Sequence, residues 1–347
     1  MILINDFFVR YKEAISNQME SIANYNKGKI ISATRFMNQK ALQKKDMEDN
    51  IYIYTPKRYI YETIKAVLNK ENKIIHVFEE EPCIWKRIVF NTSKKALFVS
   101  MYRRPTKKYA QHLKKYNNLV KVFVELPSHK NILIENGISE EKIVLTPTPP
   151  KIPRKKSKKR YNPQNVNILF ASWNNKEGDA IKERGLEFLL KLLKANPNYT
   201  LTIPLRDNDT KRFESIAELL GVRKRVKLLD IHNSTNKLIK LFDDSDFVAF
   251  VPQKRIVKDV PNSLIDGIAM GKPIIISDII DFSEIVNKEK IGIIYKKGQE
   301  PTKMNIDEET YSTLSENAYQ YSKNHSIESY LKIIKKAYSE INKKNKQ

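Results

Sequence analysis

Short apolar runs recur along the chain at intervals that leave room for one helix between them. In the first part they occupy residues 2–6, 29–33, 50–56, 73–78, 95–100, 121–126 and 142–147. Each start lies roughly 20–27 residues after the last, the rhythm of strand, helix and parallel strand. The runs are continuously apolar rather than alternating, so both faces of the sheet are expected to be covered. The rhythm restarts with residues 166–172, 200–205, 226–230, 246–252, 272–277 and 291–295. From Ile306 onward the period changes to that of two helices. The last is expected over Ile327 to Asn342, with Tyr330, Leu331, Ile334, Ala337, Tyr338 and Ile341 on one face.

These runs predict an α/β protein of two doubly wound domains. Residues 1–150 form the first, 151–165 a linker and 166–325 the second, with a further helix over 326–347. Ligands in such sheets bind outside the carboxyl ends of the strands, so a cleft between the domains is the expected location of a site.

A chain of 347 residues suits two domains, each with its own core. Charge adds a question: 63 lysines and arginines stand against 40 acidic residues, a net of +23, which favours anionic partners without choosing among them. Most lysines alternate with glutamates on helical stretches and read as solvated faces. The densest cluster, KIPRKKSKKR at 151–160, is bracketed by Pro153 and Pro163 and separates the two patterned parts, so a linker is expected there. A nuclear-localisation or RNA-binding tract is the alternative. The single cysteine, Cys83, allows no internal disulfide and fits a reduced, cytoplasmic compartment. Asp6, Arg10 and Lys12 interrupt the N-terminus where a signal peptide needs an apolar run, and no stretch approaches about 18 apolar residues. Neither export by that route nor membrane spanning is expected.

The informative segment is KDVPNSLIDGIAMGKPIIISDIIDFSEIV, residues 258–286. Pro261 suits the first turn of a helix that stops near Gly271. Backbone amides of Asn262, Ser263 and Leu264 would then face outward at the positive end of the helix dipole, where a phosphate can sit. Asp266 falls one turn deeper and could accept hydrogen bonds from sugar or ribose hydroxyls. The same residues also make a plain helix start and stop.

This segment resembles the donor-binding signature of retaining glycosyltransferases of the GT-B fold, in the "glycosyl transferases group 1" (family 4) class. The matching elements are Pro261-Asn262, Ala269, Gly271-Lys272-Pro273, Ser277-Asp278 and Glu284-Ile285-Val286. Arg184-Gly185-Leu186 stands where the family has Lys-Gly-Leu, and residues 122–150 resemble the end of its first domain. The resemblance implies two Rossmann-like domains, an acceptor side at 1–150 and a nucleotide-sugar side at 166–325, with the helix at 326–347 crossing back to the first domain. It also implies transfer from a nucleotide-diphosphate sugar, without cofactor or metal, with retention of configuration.

Carried over residue by residue, the resemblance makes Arg184 the principal partner of the leaving diphosphate, with Lys176 or Lys182 beside it. Ser172 and Trp173 follow the first strand of the second domain in place of a basic residue, and Trp173 could cover the sugar ring. Ile231 and His232 border the base. Two glutamates eight apart in the family become Lys258 and Asp266. Lysine cannot accept from sugar hydroxyls, so Lys258 would serve a diphosphate or an anionic sugar. The catalytic set is thus Arg184, Lys258 and Asp266; the donor-binding set is Ser172, Trp173, Lys182, Ile231, His232, Pro261, Asn262, Ser263 and Leu264.

A metal reading rests on Asp207-Asn208-Asp209 and Asp244-Ser245-Asp246, but such triplets arise easily among 40 acidic residues. His76 is expected as a core histidine, with a base near the cleft as the alternative. His129 is expected as a helix cap, His112 and His325 as surface residues. The expected partners are a nucleotide sugar, a glycan or lipid-linked acceptor of a cell-surface pathway, and an anionic membrane surface at the cytoplasmic side. No specific nucleic acid is expected, because the basic tract lacks interleaved aromatics. The rival to an enzyme is a non-catalytic GT-B partner or chaperone of another transferase, and a sugar-nucleotide epimerase is a further alternative.

Overall fold

The computed structural model describes residues 1–6, 14–33, 50–78, 83–172, 180–205, 210–231, 234–255 and 258–344. Trp173, Lys176, Asp207, Asn208, Asp209 and His232 lie outside them. The chain forms two compact units, Met1–Pro147 together with Ile327–Gln347, and Thr148–Ser326.

The first unit runs β1 (Ile2–Asn5), α1 (Ala14–Asn26), β2 (Lys29–Ala33), β3 (Ile51–Tyr54), α2 (Pro56–Leu68), β4 (Ile74–Phe78), α3 (Ile84–Ser93), β5 (Ala96–Met101), α4 (Lys107–Leu113), β6 (Leu119–Val124), α5 (Pro127–Glu135) and β7 (Ile143–Leu145). The second runs β8 (Val166–Leu169), α6 (Ala180–Glu183), α7 (Leu186–Ala195), β9 (Tyr199–Leu205), α8 (Lys211–Leu219), β10 (Val226–Asp230), α9 (Thr235–Asp244), β11 (Phe247–Phe250), α10 (Asn262–Ala269), β12 (Ile274–Ser277), α11 (Phe282–Glu289), β13 (Gly292–Tyr295) and α12 (Glu308–Tyr321). The final helix, α13 (Ile327–Lys344), belongs to the first unit.

Each unit is built on one parallel sheet. Seven strands lie in the order β3-β2-β1-β4-β5-β6-β7, and six in the order β10-β9-β8-β11-β12-β13. The order reverses between β1 and β4 in one sheet and between β8 and β11 in the other, the mark of doubly wound folds. Continuous apolar runs become strands buried on both faces, as in Ile2, Leu3 and Ile4 of β1.

One face of the first sheet is covered by α2, α3, α4 and α5 through Tyr59, Val67, Phe90, Ala110, Leu113 and Leu133. The opposite face is covered by α1 and α13. Met19 and Ile22 from one helix meet Tyr330, Ile334, Ala337 and Tyr338 from the other over Leu3, Phe78, Phe98 and Phe123. Asp6, just past β1, accepts from the Tyr59 hydroxyl at 3.0 Å and from the buried Lys86 ammonium at 3.0 Å.

His76 is wholly buried in β4 and bonded on both ring nitrogens, Nδ1 to the Tyr338 hydroxyl at 2.5 Å and Nε2 to Ser100 Oγ at 2.8 Å. Burial holds its pKa down at about 3. The other histidines depart from expectation. His129 does not cap α5, because that helix starts two residues earlier at Pro127 and carries His129 inward. His112 is buried with Nε2 3.1 Å from the Tyr116 hydroxyl, and burial also lowers the pKa of His325.

The basic segment is packed within the second unit rather than strung out as a bare connection. The amides of Lys155 and Ser157 donate to the carbonyls of Ala269 and Met270 at 3.1 and 3.0 Å. These are among the carbonyls that the end of α10 leaves without intrahelical donors. Arg154 stacks 3.8 Å over the Tyr319 ring and donates from Nε to Ser322 Oγ at 2.8 Å. Lys156 pairs with Glu316, and Lys159 meets the buried Asp246 carboxylate at 2.7 Å. Asp246 also accepts from the Asn167 amide at 2.7 Å, so it serves the packing of β8.

Candidate functional site

Five of the expected site residues, Ser172, Arg184, Lys258, Asn262 and Ser263, are linked by hydrogen bonds in the segments that follow β8 and β11, where the strand order of the second sheet reverses. Ser172, three residues past β8, shares a 2.6 Å hydrogen bond with Ser263 in the first turn of α10. Its carbonyl accepts from Arg184 Nη1 at 3.0 Å. Lys258, in the loop before α10, donates to Asn262 Oδ1 at 3.0 Å. Arg184, Ser172, Ser263, Asn262 and Lys258 therefore surround one helix N-terminus.

Local sequence explains why that helix starts there. Pro261 has φ −67° and ψ 124°, extended, and it occupies the cap position one residue before the first turn expected for it. Its carbonyl takes the amide of Leu264 at 3.0 Å and that of Ile265 at 3.3 Å. The expectation of three open amides is corrected by this: the tight first turn uses Leu264, whose side chain is also fully buried. The amides of Asn262 and Ser263 make no hydrogen bond among the described residues. Two donors at the positive helix end, with two cations beside them, favour an anion.

Asp266 lies one turn deeper and is buried. One carboxylate oxygen accepts from the Lys151 amide at 2.6 Å and the Ile152 amide at 3.4 Å. The residue expected to meet sugar or ribose hydroxyls thus anchors the start of the basic segment through Oδ1.

Glycines set how closely these pieces approach. Gly185 has φ +85°, and a Cβ there would stand 1.9 Å from the carbonyl oxygen of Val251. Only glycine lets the turn carrying Arg184 rest on the chain leaving β11. The same contact is tied by Gln253 N donating to the Glu183 carbonyl at 3.0 Å and by the Lys254–Glu183 ion pair. Gly267 plays a comparable part on α10, where a Cβ would meet Val248 Cγ2 at 2.5 Å.

The far end of α10 closes with Gly271 at φ +71°, its amide donating to Ile268 O and that of Lys272 to Gly267 O at 3.0 and 2.9 Å. Lys272 is buried, with Nζ donating to Ser157 Oγ, Asp243 O and Ser245 O at 2.8, 2.8 and 2.6 Å. Burial first, and Lys159 second, lower its pKa to about 8. Ser277 donates to the Pro252 carbonyl at 2.7 Å, and Asp278 accepts from the Lys297 amide at 2.7 Å. Lys272 therefore fastens the far end of α10, Ser277 the chain leaving β11, and Asp278 the loop after β13.

One group was not singled out from sequence. Arg255 grips both carboxylate oxygens of buried Asp259 at 2.8 and 2.9 Å and reaches Asp281 at 2.8 Å. It fastens the loop bearing Lys258 to the start of α11. The four-residue spacing of Arg255 and Asp259 was the only signal, and such spacings are common. Ile231 is buried at the end of β10 on the sheet edge, and Lys182 is exposed on α6. Neither contacts the α10 turn in the hydrogen bonds described. Trp173 and His232 fall outside the described residues.

The two parallel sheets define the GT-B class of fold. Alr3699/HepE of Anabaena, solved with UDP and glucose, superposes with a TM-score of 0.73 at 14% identity, over 98% of this chain and 99% of that one. A glycosyltransferase from Rickettsia africae gives 0.67 at 18% identity, over 99% and 98%. The lipopolysaccharide outer core galactosyltransferase WaaB gives 0.65 at 12% identity, over 98% and 99%. No curated protein matches the chain in sequence. Residues 177–338 match the model of the family described as Glycosyl transferases group 1. The protein carries a domain of that family and is a glycosyltransferase.

Proposed function

We propose that the protein moves a sugar from a nucleotide-diphosphate sugar to a glycan or lipid-linked acceptor of a cell-surface pathway, with retention of configuration and without a metal. The observation that carries this reading is the connected set Arg184, Ser172, Ser263 and Lys258 around the two open amides of α10. Breaking the anomeric C–O bond puts negative charge on the leaving diphosphate. Preorganised donors stabilise that charge best, since they need no reorganisation as it develops.

In this proposal the Asn262 and Ser263 amides hold one phosphate and Arg184 supplies charged donors to the other. Ser172 keeps Arg184 aimed through its carbonyl and the α10 turn through its hydroxyl. Lys258, held by Asn262, adds positive charge on the same side. Two cations with a helix dipole can neutralise a diphosphate, which supports metal independence. The likeness to WaaB supports a surface glycan as acceptor, and that to HepE, solved with UDP-glucose, makes UDP-glucose the first donor to try.

The deciding experiment is a thermal-shift series of the purified chain with nucleotide-diphosphate sugars, with and without EDTA, since a ligand bound only by the folded state raises its apparent stability. A shift unaffected by EDTA and lost in Arg184→Ala is expected. A strict need for added Mg2+ or Mn2+ would remove the metal-free mechanism. Binding without donor hydrolysis or transfer would leave a non-catalytic partner of another transferase.

A further inference from the structure

The helical layer α2 to α5 of the first unit carries large apolar side chains that are exposed among the described residues. Ile84 and Ile88, one turn apart on α3, are 70% and 58% exposed. On α2, Tyr61 and Leu68, two turns apart, are 63% and 55% exposed. Both helices turn their buried residues to the same sheet face and pack side by side, Tyr59 edge-on to Trp85 with centroids 6.5 Å apart. At these spacings each exposed pair sits on the outward stripe of its helix.

Charge on this layer is one-sided. Apart from Lys86, which is buried against Asp6, the four helices hold seven lysines and arginines against two glutamates, whereas α1 and α13 on the opposite face hold five against three. Lys57 and Lys65 flank Tyr61 and Leu68 on α2 and are exposed. Lysine is depleted at protein–protein interfaces. Isolated bulky apolar groups set among cations are instead the composition of a surface that enters lipid headgroups.

The 151–160 segment is also one-sided in charge, with Lys155, Lys158 and Arg160 exposed, but it lacks the apolar part. Arg154, Lys156 and Lys159 are engaged within the second unit, and no large apolar side chain from residue 148 to 170 is exposed. We propose that the α2–α3 face of the first unit, led by Ile84, Ile88, Tyr61 and Leu68, seats the protein on an anionic membrane surface. This rests on the lipid-linked acceptor of the reading above and deepens it by naming the face that meets the membrane holding that acceptor.

The test is co-flotation of the full chain with phosphatidylcholine vesicles, alone or mixed with phosphatidylglycerol, at low and high salt. Binding to the mixed vesicles only, weakened by salt, is expected. The double variant Ile84→Ser/Ile88→Ser should lower the bound fraction about tenfold or more, and Lys57→Glu/Lys65→Glu by a similar factor. Leu219→Ser, at a site 86% exposed in the second unit, should change nothing. Circular dichroism and melting of each variant keep loss of fold apart from loss of binding.

The proposal is overturned if Lys155→Glu/Lys158→Glu/Arg160→Glu abolishes flotation while the α3 variant does not. Failure to bind the mixed vesicles at low salt also overturns it. So does a concentration-dependent dimer that the α3 variant dissolves, which would make the face a protein interface. UDP-glucose thermal shifts on the same samples separate this outcome from that of the transferase reading, because lipid seating needs no donor.

Discussion

Among single residues, Arg184 and Gly185 do different work one position apart. Removing the guanidinium in Arg184→Ala should cost about two to three powers of ten in kcat, by analogy with losing one donor to a developing oxyanion. Arg184→Lys, which keeps charge but not the fork, should recover part of it. Steady-state transfer or donor hydrolysis reads both. Gly185→Ala should act through stability, because its Cβ would collide with the Val251 carbonyl at 1.9 Å and its φ of +85° is strained for alanine. A loss of about 2–4 kcal/mol is expected from urea unfolding of that variant. Replacing Lys272 by methionine leaves three oxygen acceptors without their donor, a predicted loss of roughly 2–3 kcal/mol by the same measurement. Pro261, Gly271 and Lys272 were legible in the sequence because a helix start and stop have local signatures. The bonds of Asp266 to the amides of Lys151 and Ile152 were not legible, because those partners lie 115 and 114 residues away and no spacing rule reveals them.

At the level of elements, periodicity located the strands because each is short, continuously apolar and separated by one crossover. It also located α13 and its apolar face. What periodicity did not supply was the identity of the surface that face covers, since burial against a distant sheet leaves no local mark. The junction is His76 against Tyr338, and it makes the first unit sensitive to acid. In the folded chain His76 titrates near 3, below the ordinary 6.5. The unfolded chain therefore binds the proton more readily. Stability from this residue is fully present above pH 6.5 and is lost as pH falls toward 3, with a slope approaching about 1.4 kcal/mol per pH unit. Urea midpoints followed by first-unit fluorescence should fall below pH 6.5, and His76→Asn should flatten that part of the curve. Equal slopes in both proteins would show that burial of His76 does not govern the effect. The basic segment shows the opposite limit of local reading: composition marked a linker, while hydrogen bonds to Ala269 and Met270 carbonyls bind it to α10.

For the molecule as a whole, the net charge of +23 is distributed rather than pooled. Part is absorbed by carboxylates and aromatic rings of the second unit, part stands beside the α10 N-terminus, and part covers one face of the first unit. Charge counting gave the total but not this division, which depends on which helices share a layer. Hydrogen exchange with and without UDP-glucose would test the assignment of the donor to the second unit. Added slowing is expected at Asn262, Ser263 and the turn around Arg184, and slowing confined to the first unit would place the nucleotide elsewhere.

The helix that completes the first sheet is made only after the whole of the second unit. On the ribosome, residues 148–326 form a contiguous stretch that can close on itself as soon as it emerges. The earlier sheet must wait with Met19, Ile22, Phe78 and Phe98 bare along one side until residues 327–344 clear the exit tunnel. Premature termination shortly before Ile327 would therefore spare the later-synthesised unit and leave the earlier one sticky, a ready substrate for chaperones and proteases.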